Sequence, residues 1–523
     1  MRSPRLWLRH LLVAPVLLAL VAASPKAADF NGDGYADLAI GVRGEQVSGF
    51  QEAGAVHVLF GGPTCFGTIS EQVLTEVSFG ALPAAFELFG LAVTSGDFDG
   101  DGYDDLAISA SNETVSGLKA AGTVFVTYGS AEGLDLSRHA EFNQDTKGIK
   151  DKVEAGNFFI EDLSAEQFGR TLAAGDFNAD GFDDLALFVV ETFGSKKKPK
   201  SFAGAVHVLK GSETGLVVKG NKLFHQNTKG VPGVQISDGK FGWALVVADF
   251  NQDGIDDLAV GAPGQQVAGS VTILLGKAKK GLSGKKSIAL DETVLGGTPA
   301  PGSAHLFGRS LAVGDFAGNG LPQLAIGAPM MDVGDAQYAG GVYVVALAPA
   351  DLSITSAQVF TRETPGIDGD ALYVADFGEA LAAGDFDADG HDDLAIGCPY
   401  DLVGAVEDAG SVTVLAGSDT GLFATSVLVH EDSTDVPDIA EEGDWLGGEL
   451  MAADFDDDGD ADLAVGAHAE TIGGIPTAGG VLVLEGSPTQ FLDLSQSHWL
   501  DKSLAAIAGS QGSNDTFGSA LGR

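Results

Sequence analysis

The sequence predicts an all-β fold: a seven-bladed β-propeller of four-stranded blades, its ring closed by pairing of the N- and C-terminal segments. Three observations predict it. First, an acidic loop of the form Asp-x-Asp/Asn-x-Asp-Gly-x-x-Asp recurs, with changes, seven times, its first positions 68, 79, 73, 66, 70 and 69 residues apart; so steady a period marks a repeat architecture. Second, the segments between loops are apolar pieces of four to eight residues bounded by Gly, Asp and Pro, with no helical period sustained for ten residues. Four short strands in each unit of roughly 70 residues fit propeller blades. Third, the ends are complementary. Asp29 has no Phe-Gly pair before it, whereas Phe517-Gly518 near the C-terminus has no loop after it. Phe517 to Arg523 is therefore expected to pair beside Asp37 to Val42, leaving no exposed blade edge. Open stacking would instead need polar capping repeats.

Taken in order, residues 1–23 read as an export signal. Arg2, Arg5 and Arg9 precede an apolar run from Leu11 to Ala22, and Val21-Ala22-Ala23 offers small residues for cleavage after Ala23. The run is too short for a permanent anchor. A secreted, periplasmic or cell-surface protein without a membrane span is expected, with residues 24–523 forming a single, complete propeller domain.

The loops follow. They place Asp29, Asn31, Asp33 and Asp37; Asp97, Asp99, Asp101 and Asp105; Asp176, Asn178, Asp180 and Asp184; Asp249, Asn251, Asp253 and Asp257; Asp385, Asp387, Asp389 and Asp393; and Asp454, Asp456, Asp458 and Asp462 at positions one, three, five and nine. Glycine at position six permits a sharp turn. Several hard oxygens around one point suit Ca2+, with position seven lending its backbone carbonyl; that position is Tyr35, Tyr103, Phe182, Ile255, His391 or Asp460. An EF-hand would carry a bidentate Glu at position twelve. Here position twelve is Ile40, Ile108, Leu187, Val260, Ile396 or Val465, inside a strand, so these are hairpin loops. Turn chemistry alone does not require four fixed oxygen side chains, and like charges so close repel without a cation. About six Ca2+ sites are expected. The loop at Asp315, with Ala317, Asn319 and Gln323, is expected to be empty or very weak. Metal removal should loosen every blade but the fifth.

Repeats two to six also carry Phe-Gly eight residues before the loop (Phe89, Phe168, Phe241, Phe307 and Phe377), and the seventh has Leu446-Gly447 there. After the loop comes Asp-Leu-Ala-Ile/Val-Gly, then an alternating strand such as Ala55-Val-His-Val-Leu59. His57 and His207 occupy matching places in such strands, which makes them fold positions rather than catalytic ones.

Net charge is −44, from 73 Asp and Glu against 29 Lys and Arg. Such a field excludes nucleic acid as a partner, because phosphate binding needs Lys and Arg; six Ca2+ would bring it to −32. Cys65 and Cys398 are too few and too distant for a disulfide framework. The lysines at 196–198 and 200, and at 277, 279, 280, 285 and 286, read as solvated loops. No nucleophile-elbow, zincin or phosphate-loop motif occurs.

The Phe-Gly pairs, the acidic loops and the Gly-Ala-Pro triplets at 261 and 327 resemble the FG-GAP repeats of the integrin alpha-chain N-terminal β-propeller. The resemblance extends over about residues 29 to 523. It implies Ca2+ on one face of a disc and a protein ligand on the other. The chain departs from that family in having six competent loops, where integrin chains carry calcium in only some blades. The function expected is a calcium-binding adhesion module, monomeric, with a protein or glycan ligand. The alternatives are a carbohydrate-active enzyme with its site on the rim or in the channel, for which the 150–166 insert is one place to look, and a purely structural envelope protein.

Overall fold

A computed structural model describes residues 28–150, 168–195, 198–265, 268–297, 299, 304–423, 425–509 and 511–522. The expected export signal, nearly all of the 150–166 insert and Arg523 lie outside them.

Seven four-stranded antiparallel sheets form the ring, as expected. The sixth blade is typical. From the axis outward it holds Leu381–Gly384, Asp393–Cys398, Ser411–Leu415 and Ser426–Val429. Blades two to five run from Phe89 to Phe142, Leu172 to Phe224, Leu245 to Leu290 and Leu311 to Phe360, and the seventh from Glu449 to Leu500. The innermost strands touch one another in sequence around the ring. Closure is as anticipated: Ala520–Gly522 pairs with Leu38–Val42 in the register Ala39 to Gly522, Ile40 to Leu521 and Gly41 to Ala520. The first blade therefore takes its innermost strand from the far end of the chain.

The second strands, such as Asp105–Ala110 and Asp393–Cys398, are buried along their whole length because a neighbouring blade covers each face. That is why they read as continuous apolar runs. Seven apolar clusters make up the core, each shared by two adjacent blades. Phenylalanine at loop position two (Phe30, Phe98, Phe177, Phe250, Phe316, Phe386, Phe455) is buried every time, each ring worth about 1.5–3 kcal/mol relative to exposure.

The Phe-Gly pair joins blades through the backbone. The backbone N–H of its phenylalanine donates to an alanine carbonyl of the preceding blade: Phe89 to Ala53 (2.9 Å), Phe168 to Ala121 (3.1 Å), Phe377 to Ala339 (3.1 Å) and Phe517 to Ala478 (3.0 Å). Leu446 does the same to Ala409 at 3.0 Å, so the bond survives loss of the ring. The approach is so close that a Cβ on Gly410 would fall 2.3 Å from the Leu446 carbonyl oxygen, and one on Gly397 2.0 Å from that of Gly447.

Two sequence expectations are refined. Phe193–Ser195 and Lys198–Lys200 form a two-stranded ribbon where a loop was expected. Lys285 and Lys286 stand on the outermost strand Ser283–Leu290, an edge that lysine protects from further pairing. Both cysteines are free and buried.

Candidate metal centres and the channel mouth

In blades two to seven each loop joins the end of the innermost strand to the second strand; in the first it leads into Leu38–Val42 alone. The loop is built on its first aspartate. Asp385 accepts from the N–H groups of Asp389 (Oδ1, 3.0 Å) and Gly390 (Oδ2, 2.9 Å), and Asp97 accepts from Gly100, Asp101 and Gly102 at 2.7–3.1 Å. The ninth aspartate is buried and bound twice. Asp393 takes the N–H of Phe386 at 3.0 Å and of Gly417 at 2.8 Å, and Asp37, Asp105 and Asp462 repeat the pattern. Even with those donors, burial pushes Asp184 up to about 6, Asp37 and Asp257 up to about 7, and Asp105, Asp393 and Asp462 up to about 8. Neighbouring loop carboxylates push the same way.

Three loops bring carboxylate oxygens within 4.8 Å of one another: Asp97, Asp99 and Asp101; Asp385, Asp387 and Asp393; Asp454, Asp456 and Asp462. In the loops with asparagine at position three, its amide donates to a carboxylate: Asn31 to Asp33 (2.9 Å), Asn178 to Asp184 (3.0 Å) and Asn251 to Asp257 (2.9 Å). Position five, at Asp33, Asp101, Asp180, Asp253, Asp389 and Asp458, is exposed. The donor set is hard oxygen at graded depth, which fits Ca2+.

The fifth loop separates turn from ligand. Asp315 still accepts from Asn319 (3.0 Å) and Gly320 (2.6 Å), so the loop keeps its shape without Asp at positions three, five and nine. Position five still serves the turn, since Asn319 Oδ1 accepts from the Leu321 N–H at 3.0 Å, but in the other six loops the side chains at positions three and nine exceed what the turn needs. Two of the six also contain a cation from this chain: Arg138 pairs with Asp99, and Lys210 with Asp180.

Position eight is a functional position not anticipated above. Asp104, Asp183, Asp256 and Asp392 each accept the N–H of the first loop residue in the preceding blade, at 2.7–3.0 Å. The doubled Asp-Asp before Leu-Ala was its signal: one carboxylate serves its own loop and the other latches the neighbour.

The innermost strands run from one mouth of the channel to the acidic loops at the other. At the loop-free mouth the guanidiniums of Arg170 and Arg309 and the Lys240 ammonium lie 4.7, 4.8 and 4.9 Å from the Trp243 ring centre. Arg43, Tyr400, Trp445, Glu449 and His468 complete the lining. Burial, with the Arg309 and Arg43 charges, pushes Arg170 down to about 10, and burial beside Arg43 pushes His468 down to about 4. Glu379 is held by Arg309, whose Nε donates at 2.9 Å. Trp445 stacks edge-on to Tyr400 at 5.8 Å, and its indole N–H has no partner among the described residues.

The FG-GAP repeat family matches residues 22–59, 89–127, 168–209, 241–274, 377–415 and 446–484. The chain is an FG-GAP repeat protein. Its blade five, where the acidic loop is degenerate, falls outside those matches. Integrin alpha pat-2 of Caenorhabditis briggsae is 29% identical over 266 residues, 48% of this chain and 19% of its own length. Phosphatidylinositol-glycan-specific phospholipase D of Bos taurus is 32% identical over 205 residues, 37% of this chain and 21% of its own. Integrin alpha-V of Gallus gallus is 30% identical over 242 residues, 44% and 20% respectively. This FG-GAP protein thus spans about a fifth of the length of the curated relatives it matches. Among solved structures, the NanB sialidase of Streptococcus pneumoniae aligns over 82% of this chain and 72% of its own, at 8% identity and a TM-score of 0.39, a likeness too loose to carry an argument. No helix among the described residues is long and apolar enough to cross a membrane.

Proposed function

We propose that this FG-GAP propeller is an exported binding module. Six Ca2+ ions brace one face, and a protein or glycan ligand docks at the opposite mouth of the channel. The observation that carries the reading is the charge at that mouth. Arg170, Lys240 and Arg309 gather around Trp243, and Arg43 lines the same mouth, in a chain whose net charge is −44. A basic, aromatic-floored concavity on an acidic disc favours an anionic ligand, such as an acidic glycan or a carboxylate-rich peptide. The integrin alpha relatives support binding as the task, residues 1–23 support export, and the self-closed ring supports a monomer. Calcium in the loops rests on the oxygen side chains at positions three and nine, without which the fifth loop keeps its turn.

A catalytic reading finds less support, although one relative is named as an enzyme. Of the mouth carboxylates, Glu379 is committed to Arg309, and we assign no reaction step. The test is a glycan array and an acidic-peptide panel in millimolar Ca2+, with wild type, Trp243→Ala and Arg170→Glu. Binding that weakens at least tenfold in both variants supports the reading. A ligand bound equally by all three would place the site elsewhere, and turnover of an arrayed glycan would revive the enzyme.

A further inference from the structure

A second group of acids lies away from the loops, between the sixth and seventh blades. Glu431, Asp444 and Glu470 have ligand oxygens within 4.8 Å of one another, and all three are at least 98% buried. Both Glu431 oxygens and Oε2 of Glu470 have no hydrogen-bond partner among the described residues. The Asp444 carboxylate accepts one backbone bond, from the Glu441 N–H at 2.6 Å. Unpaired carboxylates in such a place are strongly disfavoured unless neutralised.

The repeat supplies its own comparison. Lys502 stands two residues after its outermost strand ends, as Glu431 does. Glu45 lies four residues after Gly41, as Glu470 lies four after Gly466. Asp515 precedes Phe517 by two, as Asp444 precedes Leu446. At that interface, between the seventh and first blades, the Lys502 ammonium sits 3.0 Å from Glu45 and 2.9 Å from Asp515, itself almost fully buried. Between the fifth and sixth blades Arg362 holds the same place and binds Asp401 at 2.9 Å. That position holds a cation in two of the seven interfaces, a glutamine (Gln144, Gln226) in two and a glutamate (Glu76, Glu292, Glu431) in three. At the sixth–seventh interface a third carboxylate stands there instead.

We propose that Glu431, Asp444 and Glu470 hold a divalent cation of the calcium class, buried between the sixth and seventh blades, in the place of the Lys502 ammonium. All donors are carboxylate oxygens, with up to six oxygens available, which suits Ca2+ over softer metals. Three carboxylates and one divalent ion leave a single negative charge, as Glu45, Asp515 and Lys502 do. Burial, then mutual repulsion, pushes all three carboxyls up.

The test is native mass spectrometry of the full chain at pH 8, stripped with EDTA and returned to Ca2+, for wild type, Glu431→Lys and Glu431→Gln. Glu431→Lys should bind one Ca2+ fewer than wild type, and its melting temperature in EDTA should exceed that of wild type. Glu431→Gln, which keeps the shape, should need at least tenfold more Ca2+ to reach the wild-type count, and it decides the matter if the lysine variant fails to fold. Equal counts and equal Ca2+ dependence would overturn the proposal and assign the three acids to shared protons. Failure of the loop assignment would lower the count of every variant alike and leave this difference intact.

Discussion

Gly397 tests how the ring is held. A Cβ there falls 2.0 Å from the Gly447 carbonyl oxygen and 3.2 Å from Cβ of Ala380. Backbone lies on the far side of the first contact, so about 1 Å of separation between the sixth and seventh blades is needed to relieve Gly397→Ala. That movement strains the bond that crosses the interface, from Leu446 N–H to Ala409 (3.0 Å). Overpacking costs about 1–3 kcal/mol, and weakening that buried hydrogen bond adds about 1 kcal/mol. A loss of about 2–4 kcal/mol is expected, focused on one interface. Hydrogen exchange by mass spectrometry resolves such sub-global opening. Protection around Leu446 and Gly447 should fall roughly thirtyfold or more, at about 1.4 kcal/mol per tenfold. Gly62→Ala, where a Cβ meets nothing within 4 Å, is the control and should change protection little. Protection within threefold of wild type in Gly397→Ala would refute the reasoning.

Further outcomes follow from the same geometry. Ala317→Asp, Asn319→Asp and Gln323→Asp together should complete the fifth loop and add one Ca2+ to the count by native mass spectrometry. Arg138→Ala and Lys210→Ala, which remove the cations paired with Asp99 and Asp180, should tighten Ca2+ binding at the second and third loops severalfold, measured by calorimetric titration. His57 is buried, yet hydrogen bonds to Glu45 (3.1 Å) and Glu71 (2.6 Å) raise its pKa. Its stabilisation is therefore complete below pH 6.5 and fades as pH rises through the raised value. His57→Gln should cost about 3–5 kcal/mol at pH 6 and less at pH 9 in denaturant unfolding. His207, at the matching position, has both ring nitrogens unpartnered among the described residues, and burial lowers it to about 4. It destabilises the fold as pH falls below its ordinary 6.5, so His207→Leu should gain about 1 kcal/mol and blunt acid sensitivity.

Much of the architecture was legible because it repeats. The loop period counted the blades, and the mismatch between Asp29 and Phe517 foretold the shared first blade. The loop side chains were legible too, since their spacing is fixed within nine residues. What escaped notice was chemistry made between repeats. Asp183 reads like one more loop acid, yet it latches Asp97 of the blade before. Ala409-Gly410 reads as the start of a strand, yet it is the seat of Leu446. Arg170, Lys240, Trp243 and Arg309 meet only because the ring brings three blades to one mouth. Glu431, Asp444 and Glu470 lie in dissimilar segments, and their kinship with Lys502, Glu45 and Asp515 emerges only once the interfaces are superposed. His57 and His207 share a fold position, as their spacing implied, but their opposite charge states depend on Glu45 and Glu71.

The central claim is that Ca2+ in the acidic loops braces the disc. Differential scanning calorimetry of the full chain, in 1 mM Ca2+ and again in excess EDTA, tests it most directly. Each loop filled at a hundredfold excess over its Kd would add about 2.7 kcal/mol to the folded state, so six would raise the melting temperature by many degrees. A large fall in EDTA, restored by Ca2+ and lessened when Asp387, Asp456 or Asp99 is replaced by Ala, is the result expected. A melting temperature indifferent to EDTA would contradict it.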